Sequence, residues 1–300
     1  MHFVVFSFNR GEFLDSCIAS IEYCAPDAEI AIFDDNSDDL VTRQRLQALA
    51  ARHRIIYPEK PGPGNSKHGG LYSNMQSAYE RPEPDDVICF LQDDMQLVRK
   101  LTAEDSDAIA RYFDTVDNAG FIQPAFLKGC NRLADRAQIR FDAAAGGYLV
   151  DRLNRSAGAW YSDVFVARVR NLRDVGWKFQ ARESKNERQA RDRLRQMLYL
   201  KNPFAAWLPC TPAWRGKTRT IALRLAHRLS GCGYYPFRYL SDAENERFRQ
   251  RDARILPVAE DFLAVDGPEL PEPWVYHPLQ GRRLLKLLDS AELKIRRALP

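Results

Sequence analysis

Three hundred residues, 45% hydrophobic and 28% charged, describe a globular chain able to bury a large core. No apolar run approaches the ~18 residues of a membrane span, and no repeat or low-complexity tract is present, which excludes a helical integral membrane protein, a solenoid and a disordered chain. The net charge of +4 conceals an asymmetry: residues 1–150 hold 15 Lys and Arg against 23 Asp and Glu, residues 151–300 hold 29 against 17. An acidic half suits a cation, and a basic half suits an anionic partner; no nucleic-acid partner is expected. The six cysteines, at 17, 24, 89, 130, 210 and 232, form no Cys-x-x-Cys pair, which points to reduced buried thiols rather than a disulfide framework or zinc site. The chain enters a strand pattern at once, with no cationic leader, so a cytoplasmic protein is expected.

The first strand pattern is Phe3 to Phe8, ending in Asn9-Arg10-Gly11. Phe13, Leu14, Cys17, Ile18 and Ile21 follow at helical spacing. Ile30 to Phe33 reads as a second strand and runs into Asp34-Asp35-Asn36-Ser37-Asp38-Asp39. Ser37 or Asp38 is expected to cap the helix that carries Leu40, Leu46 and Leu49. Ile55-Ile56-Tyr57 makes a third short strand, and residues 58–68 a Pro- and Gly-rich loop. Gly69-Gly70 opens a helix through Met75 and Tyr79. Val87 to Leu91, introduced by Pro84-Asp85-Asp86, reads as a buried central strand ending in Gln92-Asp93-Asp94. This alternation predicts a parallel sheet whose right-handed crossovers bring the carboxyl ends of the strands to one edge. Open α/β sheets bind ligands at that edge. An Asp-Asp pair alone is more often an acidic turn. A second acidic cluster at the end of another strand favours hard oxygen donors for Mg²⁺ or Mn²⁺ shared with substrate phosphates.

In order and spacing, Phe6-Ser7-Phe8-Asn9-Arg10, Phe33-Asp34-Asp35-Asn36-Ser37, Asn74 and Phe90-Leu91-Gln92-Asp93-Asp94 resemble the family-2 glycosyltransferases of GT-A fold, across the first third of the chain. A looser match, Ala157-Gly158-Ala159-Trp160 to Val175-Gly176-Trp177, resembles their acceptor-side segment. The resemblance implies an inverting sugar transfer from a nucleoside-diphosphate sugar, UDP favoured, assisted by Mn²⁺ or Mg²⁺. The implied acceptor is a glycan or lipid-linked molecule in bacterial-type surface-polysaccharide or glycolipid assembly. It assigns Asp35 to the nucleotide base, Ser7 and Phe8 to the edge of that pocket, Asp93 to the ribose or metal shell, and Asp94 to the metal. Asn9, Arg10 and Asn74 lie in the matched motifs and are carried as nucleotide-sugar contacts. Two departures stand out. Gln92 occupies a position where members commonly have an acid, though its carbonyl still accepts a hydrogen bond. Ser73 stands where many have an Arg before Asn74, and Lys67 or His68 is the substitute expected at the diphosphate.

The acceptor hydroxyl needs a base opposite the departing nucleotide. Related enzymes place an acid after the acceptor-side segment, and here the candidates are Glu183 and Glu187, with Asp163 and Asp192 behind. The alternative is a solvated helix face, with Glu187 and Arg191 as an i,i+4 pair. His277 is a further candidate metal ligand, as a C-terminal His is in some GT-A enzymes, though a lone His is more often structural.

Thr102-Ala103-Glu104-Asp105 reads as a capping box before a helix through Phe113. Residues 121–124 read as a strand, 141–150 as a hairpin, and 165–175 as a strand passing into a helix closed by Gly176. Residues 183–200 read as a basic helix, and 202–217, with Trp207 and Trp214, as a long irregular segment of the kind that forms lids. Residues 220–229 read as a helix and 257–278 as a Pro-rich connector. The tail, 282–297, is a cationic amphipathic helix that either lies on an anionic membrane or packs Leu284, Leu288 and Ile295 on the body. The expected fold class is α/β, a GT-A (Rossmann-like), mostly parallel sheet flanked by helices with a helical basic C-terminal extension. The catalytic domain is expected over 1–200, nucleotide-sugar half 1–100 and acceptor half 101–200, with the extension over 201–300. Two other functions stay open: a sugar nucleotidyltransferase, which would need a Gly-rich phosphate loop after the first strand, and a non-catalytic scaffold, of which Gln92 would be the sign.

Overall fold

The structure, a computed structural model, describes residues 1–58, 70–151, 158–214 and 218–298. The first elements follow the expected order: β1 (His2–Ser7), α1 (Gly11–Cys24), β2 (Glu29–Asp34), α2 (Leu40–Leu49), β3 (Arg54–Ile56), α3 (Leu71–Tyr79) and β4 (Val87–Gln92). Then come β5 (Met95–Leu97), α4 (Ala103–Thr115), β6 (Ile122–Gln123), α5 (Arg132–Gln138), β7 (Ile139–Asp142), β8 (Gly147–Val150), β9 (Phe165–Arg168), α6 (Val169–Asp174), α7 (Glu183–Arg193), β10 (Leu198–Leu200), β11 (Ala205–Trp207), α8 (Ile221–Leu229), α9 (Asp242–Arg249), α10 (Ala259–Phe262) and α11 (Arg283–Ala298).

The main sheet has the order β3-β2-β1-β4-β9-β6-β10-β8-β7, and all its strands but β8 and β9 run in one direction. β2 and β4 flank β1, so the crossovers reverse between β1 and β4, the switch point at which a crevice opens beyond the strand ends. The period of two along a strand sends successive side chains to opposite faces. Phe3, Val5, Cys89 and Leu91 pack under α1 and α4, while Val4, Phe6, Ile88 and Phe90 pack against α3 and the segment around Phe165 and Trp177. Both faces are therefore buried, which explains why β1 and β4 read as unbroken apolar runs.

Local interactions fix the elements near the crevice. Gly11 opens α1 where Thr42 Cα would stand 2.7 Å from an added Cβ, and its amide donates to Thr42 Oγ1 at 2.9 Å. The cap of α2 is Asp39, not Ser37 or Asp38, and it accepts the Thr42 amide at 2.8 Å. The earlier two are engaged elsewhere: Ser37 donates its hydroxyl to Asp34 at 2.6 Å, and Asp38 accepts from the Asn9 amide group at 2.6 Å.

Two segments differ from the sequence expectation. The helix begun at Glu183 ends at Arg193, and residues 198–200 form β10 inside the main sheet. The segment 202–217 contains β11, which pairs antiparallel with β5. Residues after 200 are built into the body: Phe126, Val98 and Phe13 share one core with Phe237, Phe248 and Trp274. The Gln96 side chain donates to Phe237 O and accepts from Phe237 N, both at 2.8 Å. The helix α9 was not among the expected elements, although its capping box, Ser241 with Glu244, is visible in the sequence. All six cysteines are free, and no described helix is long and apolar enough to cross a membrane.

Arg99 joins the two halves of the chain. Its side chain is fully buried, pairs with both oxygens of Asp105 at 2.8 Å, and donates to the carbonyls of Pro203 and Asn202. Burial raises the Asp105 carboxyl, and Arg99 more than offsets this, holding it below the usual carboxylate range. Arg99→Met leaves Asp105 buried without its counter-ion and should destabilise by about 3–5 kcal/mol. Calorimetry should show Tm lower by roughly 5–15 °C. Because the folded value of Asp105 is depressed, the wild-type advantage is present above the ordinary aspartate range and is lost as pH falls through that lowered value.

Candidate active site

A pocket of about 260 Å³ opens at the switch point. Its wall brings together residues far apart in the chain: Ser7, Phe8 and Arg10 after β1, Asp35 after β2, Asn74 on α3, Gln92 and Asp94 at the end of β4, then Asp163, Trp214 and His277. Of the expected site residues, Ser7, Phe8, Arg10, Asp35, Asn74, Gln92, Asp94 and His277 line it. Lys67 and His68 lie outside the described residues.

Asp93 sits behind the wall, fully buried. It accepts the Phe8 amide at 3.1 Å and pairs with Arg10, whose second nitrogen reaches Asp94 Oδ2 at 2.7 Å. Burial pushes the Asp93 carboxyl up, and Arg10 opposes that shift. The two carboxylates keep Arg10 protonated against the cost of its own burial. Asp94 Oδ1 is buried and has no hydrogen-bond partner among the described residues, and the same holds for Trp214 Nε1. Orphaned buried polar atoms in a native fold call for an explanation, of which a bound ion, water or ligand is one.

On the Asp35 side, the Asp35 amide donates to Ser7 O at 2.9 Å and Oδ2 accepts the Gly70 amide at 2.8 Å. A Cβ on Gly70 would meet Asp35 Oδ1 at 2.3 Å, so the close approach of α3 to this carboxylate depends on glycine. Trp214 stands edge-on to Phe8, ring centroids 5.4 Å apart, with the Arg219 guanidinium 3.9 Å from the Trp214 centroid. His277 Nδ1 accepts the Leu279 amide at 3.1 Å.

Asn9 departs from its expected place at the ligand. It does not line the pocket, because its side chain is spent on the neighbouring loop: Oδ1 accepts the amides of Asp38 and Asp39 at 2.9 and 3.0 Å and Nδ2 donates to Asp38 Oδ1 at 2.6 Å, while the Asn9 backbone amide donates to Ser37 Oγ at 2.9 Å. Its φ of 51° is the left-handed conformation that Asn tolerates. Asn9 is thus a brace that ties the end of β1 to the end of β2.

The acceptor-side acids separate by burial. Glu187 is 1% exposed, and its Oε2 takes the amides of Gly158, Trp160 and Tyr161 at 3.2, 3.1 and 2.9 Å. Arg191 is 3.8 Å away, so Glu187 is neither a solvated face nor a pocket residue but the staple of the 158–161 turn. Asp192 is exposed on α7. Glu183 begins α7, and Tyr72 links it to the pocket: the Tyr72 hydroxyl donates to Asp163 Oδ2 at 3.2 Å, and burial with Asp163 and Glu183 nearby keeps that phenol protonated.

One basic residue had no sequence signal. The Lys128 ammonium lies 3.8 Å from the Trp207 ring centroid and 5.2 Å from that of Tyr276. Burial pulls its pKa down, while Asp94, Cys130 and Glu183 push it back.

Gly70→Ala is the sharpest test of the Asp35 geometry. It leaves the backbone unstrained, since φ is −89°, and forces Asp35 aside. If Asp35 holds the nucleotide base, as the sequence resemblance implies, affinity for a nucleoside diphosphate measured by calorimetry should fall about tenfold or more, comparable to the roughly 1.5–3 kcal/mol of a charged hydrogen bond.

Neither a family model nor a curated protein matches the sequence. Among solved structures the chain is similar to residues 1–349 of TarS from S. aureus, with 14% identity and a TM-score of 0.49 over 69% of this chain and 59% of that one. It is similar to the mannosyltransferase PcManGT from Pyrobaculum calidifontis, solved with GDP-Man and Mn²⁺, with 12% identity and a TM-score of 0.44 over 99% and 72% of the two chains. It is also similar to glucosyl-3-phosphoglycerate synthase from Mycobacterium tuberculosis, solved with Mn²⁺, UDP and phosphoglyceric acid, with 17% identity and a TM-score of 0.42 over 79% and 82%. At these identities the likeness is one of fold alone.

Proposed function

We propose that the protein is an inverting glycosyltransferase that moves a sugar from a nucleoside-diphosphate sugar to a glycan or lipid-linked acceptor. The observation that carries this is the pocket at the β1/β4 switch point. It is walled by Asp35, Asn74, Gln92, Asp94, Asp163 and His277, with Asp94 Oδ1 and Trp214 Nε1 buried and lacking partners among the described residues. A sugar nucleotidyltransferase fits less well. The Gly11 amide, which a phosphate loop would aim at the ligand, is already donated to Thr42.

Asp35 is assigned the nucleotide base, as an acceptor for a base N–H, with Phe8 and Trp214 flanking it. Gln92 offers a neutral amide to the ribose or sugar hydroxyls. Arg10 faces the diphosphate and offsets part of its charge while remaining paired to Asp93 and Asp94.

A divalent cation fits the donor set in part. Asp94 offers Oδ1, and His277 stands on the same pocket wall. No group of three His, Cys, Asp or Glu among the described residues is placed to hold a metal alone, so the diphosphate would complete its coordination. When bound, Mn²⁺ or Mg²⁺ supplies Lewis-acid neutralisation of the leaving diphosphate. The base that takes the acceptor proton is assigned to Glu183, at the start of α7 beside Tyr72 and Asp163. A carboxylate there would accept the proton as the hydroxyl attacks.

Thermal denaturation with UDP, GDP, dTDP and CMP, each with and without Mn²⁺, should show one nucleotide raising Tm in a metal-dependent way. Asp94→Ala should remove that metal dependence while the folded state persists; an unchanged response would sink the metal assignment. Glu183→Gln should leave nucleotide binding intact and lower transfer by roughly 10²–10⁴-fold. Glu187→Gln should instead lower Tm, because it weakens the charge that holds three amides.

A further inference from the structure

The helices α8 and α11 pack against each other over a small core of Leu223, Ala226, Leu279 and Leu285, and both carry further aliphatic side chains on their outer sides. The inward side of α11 carries acids. Asp289, 1% exposed, accepts the Thr220 hydroxyl at 2.7 Å, and Glu292 accepts the Ile221 amide at 2.8 Å, so both serve the amino end of α8. Apart from Leu223 and Leu285, the helices also expose a set of aliphatic side chains. On α8, Ile221, Leu225 and Leu229 recur every fourth residue and are 65, 46 and 56% exposed. On α11, Leu284, Leu287, Leu288 and Ile295 are 77, 67, 59 and 59% exposed. Apolar side chains gathered in this way on two adjoining helices mark an interaction surface rather than scattered exposure.

The charges beside these stripes identify the partner. Arg224 and Arg228 are exposed on α8, and Arg283, Lys286 and Lys294 on α11. No Asp or Glu occurs from residue 218 to 241, and the two acids of α11 are turned toward α8. A second copy of this face would bring like charges together. A bilayer rich in anionic lipid answers both properties, with the aliphatic side chains entering the headgroup boundary and the cations meeting lipid phosphates.

We infer that the α8–α11 pair docks the protein on an anionic membrane surface. This stands apart from the transfer reaction proposed above and is measured without it. It has a geometric consequence for the pocket, because two of its wall residues, Trp214 and His277, lie just before α8 and α11 in the chain. His227 of α8 also accepts the amide of Ala213, another wall residue, at 3.1 Å.

The test is sedimentation of the full chain with vesicles of phosphatidylcholine, with or without about one-third phosphatidylglycerol. Binding should require the anionic lipid and should weaken about tenfold or more at high salt. R224Q/R228Q/K286Q should weaken it by roughly fivefold per removed charge. L284Q/L288Q, which keeps every charge, should weaken it as strongly, showing that the leucines enter the boundary. Both variants change exposed side chains and should keep the wild-type Tm. Absence of binding by the wild type, or undiminished binding by both variants, overturns the inference. So does a concentration-dependent dimer in light scattering that L284Q/L288Q abolishes, which would make the face a contact between copies.

Discussion

The site is organised around one buried carboxylate. Asp93 has no exposure to solvent, and an ionised group in that position is tolerated only if donors surround it. The Phe8 amide and the Arg10 guanidinium are those donors, and both come from the loop that follows β1. To present them, the loop turns through Asn9 in a left-handed conformation, and the Asn9 side chain then grips the loop after β2. Asp39 is left to cap α2, and Thr42 receives the amide of Gly11. The mutual position of the first two strand ends therefore follows from the need to neutralise a charge at the end of the fourth strand.

Much of this was legible in the sequence because the relevant signals are local. An apolar run closed by Asn9-Arg10-Gly11 located β1, apolar runs that end in carboxylates located β2 and β4, and the crossover rule placed their ends together. Asp35, Asp94 and Gln92 arrive at the pocket for that reason. What stayed hidden depends on partners distant in sequence. The strand β11 exists because Ala205 pairs with Leu97, and three residues carry too little periodicity to announce it. Lys128 has no motif, and its place is set by Trp207 and Tyr276. Glu187 looked like half of a surface ion pair because the spacing to Arg191 is right; the backbone turn at 158–161, invisible in a helix pattern, is what claims it.

The acids of the molecule thus fall into distinct situations despite similar sequence settings. Asp105, Asp93 and Glu187 are buried and spent on fixed donors, and each holds two segments together. Asp94, one of the acids on the pocket wall, keeps Oδ1 without a hydrogen-bond partner among the described residues. Adjacent residues such as Asp93 and Asp94 can therefore divide structural and chemical work, because alternation along the chain turns one into the core and leaves the next at the opening.

The interleaving of the chain has a consequence for how the protein is made. Leu208 donates its amide to the Asp94 carbonyl at 2.9 Å, and the pocket wall runs from Phe6 to His277. Domains emerge from the ribosome in order, and the early strands can pair as they appear. The crevice at their ends, however, lacks a side until the segment that carries His277 has been synthesised and has folded back. Until then, a nascent chain presents an open, acidic sheet edge with apolar surface at Val98 and Phe126 uncovered. Closure of the crevice and completion of the core are thus coupled in time, and both wait for the segment around Trp274 and His277.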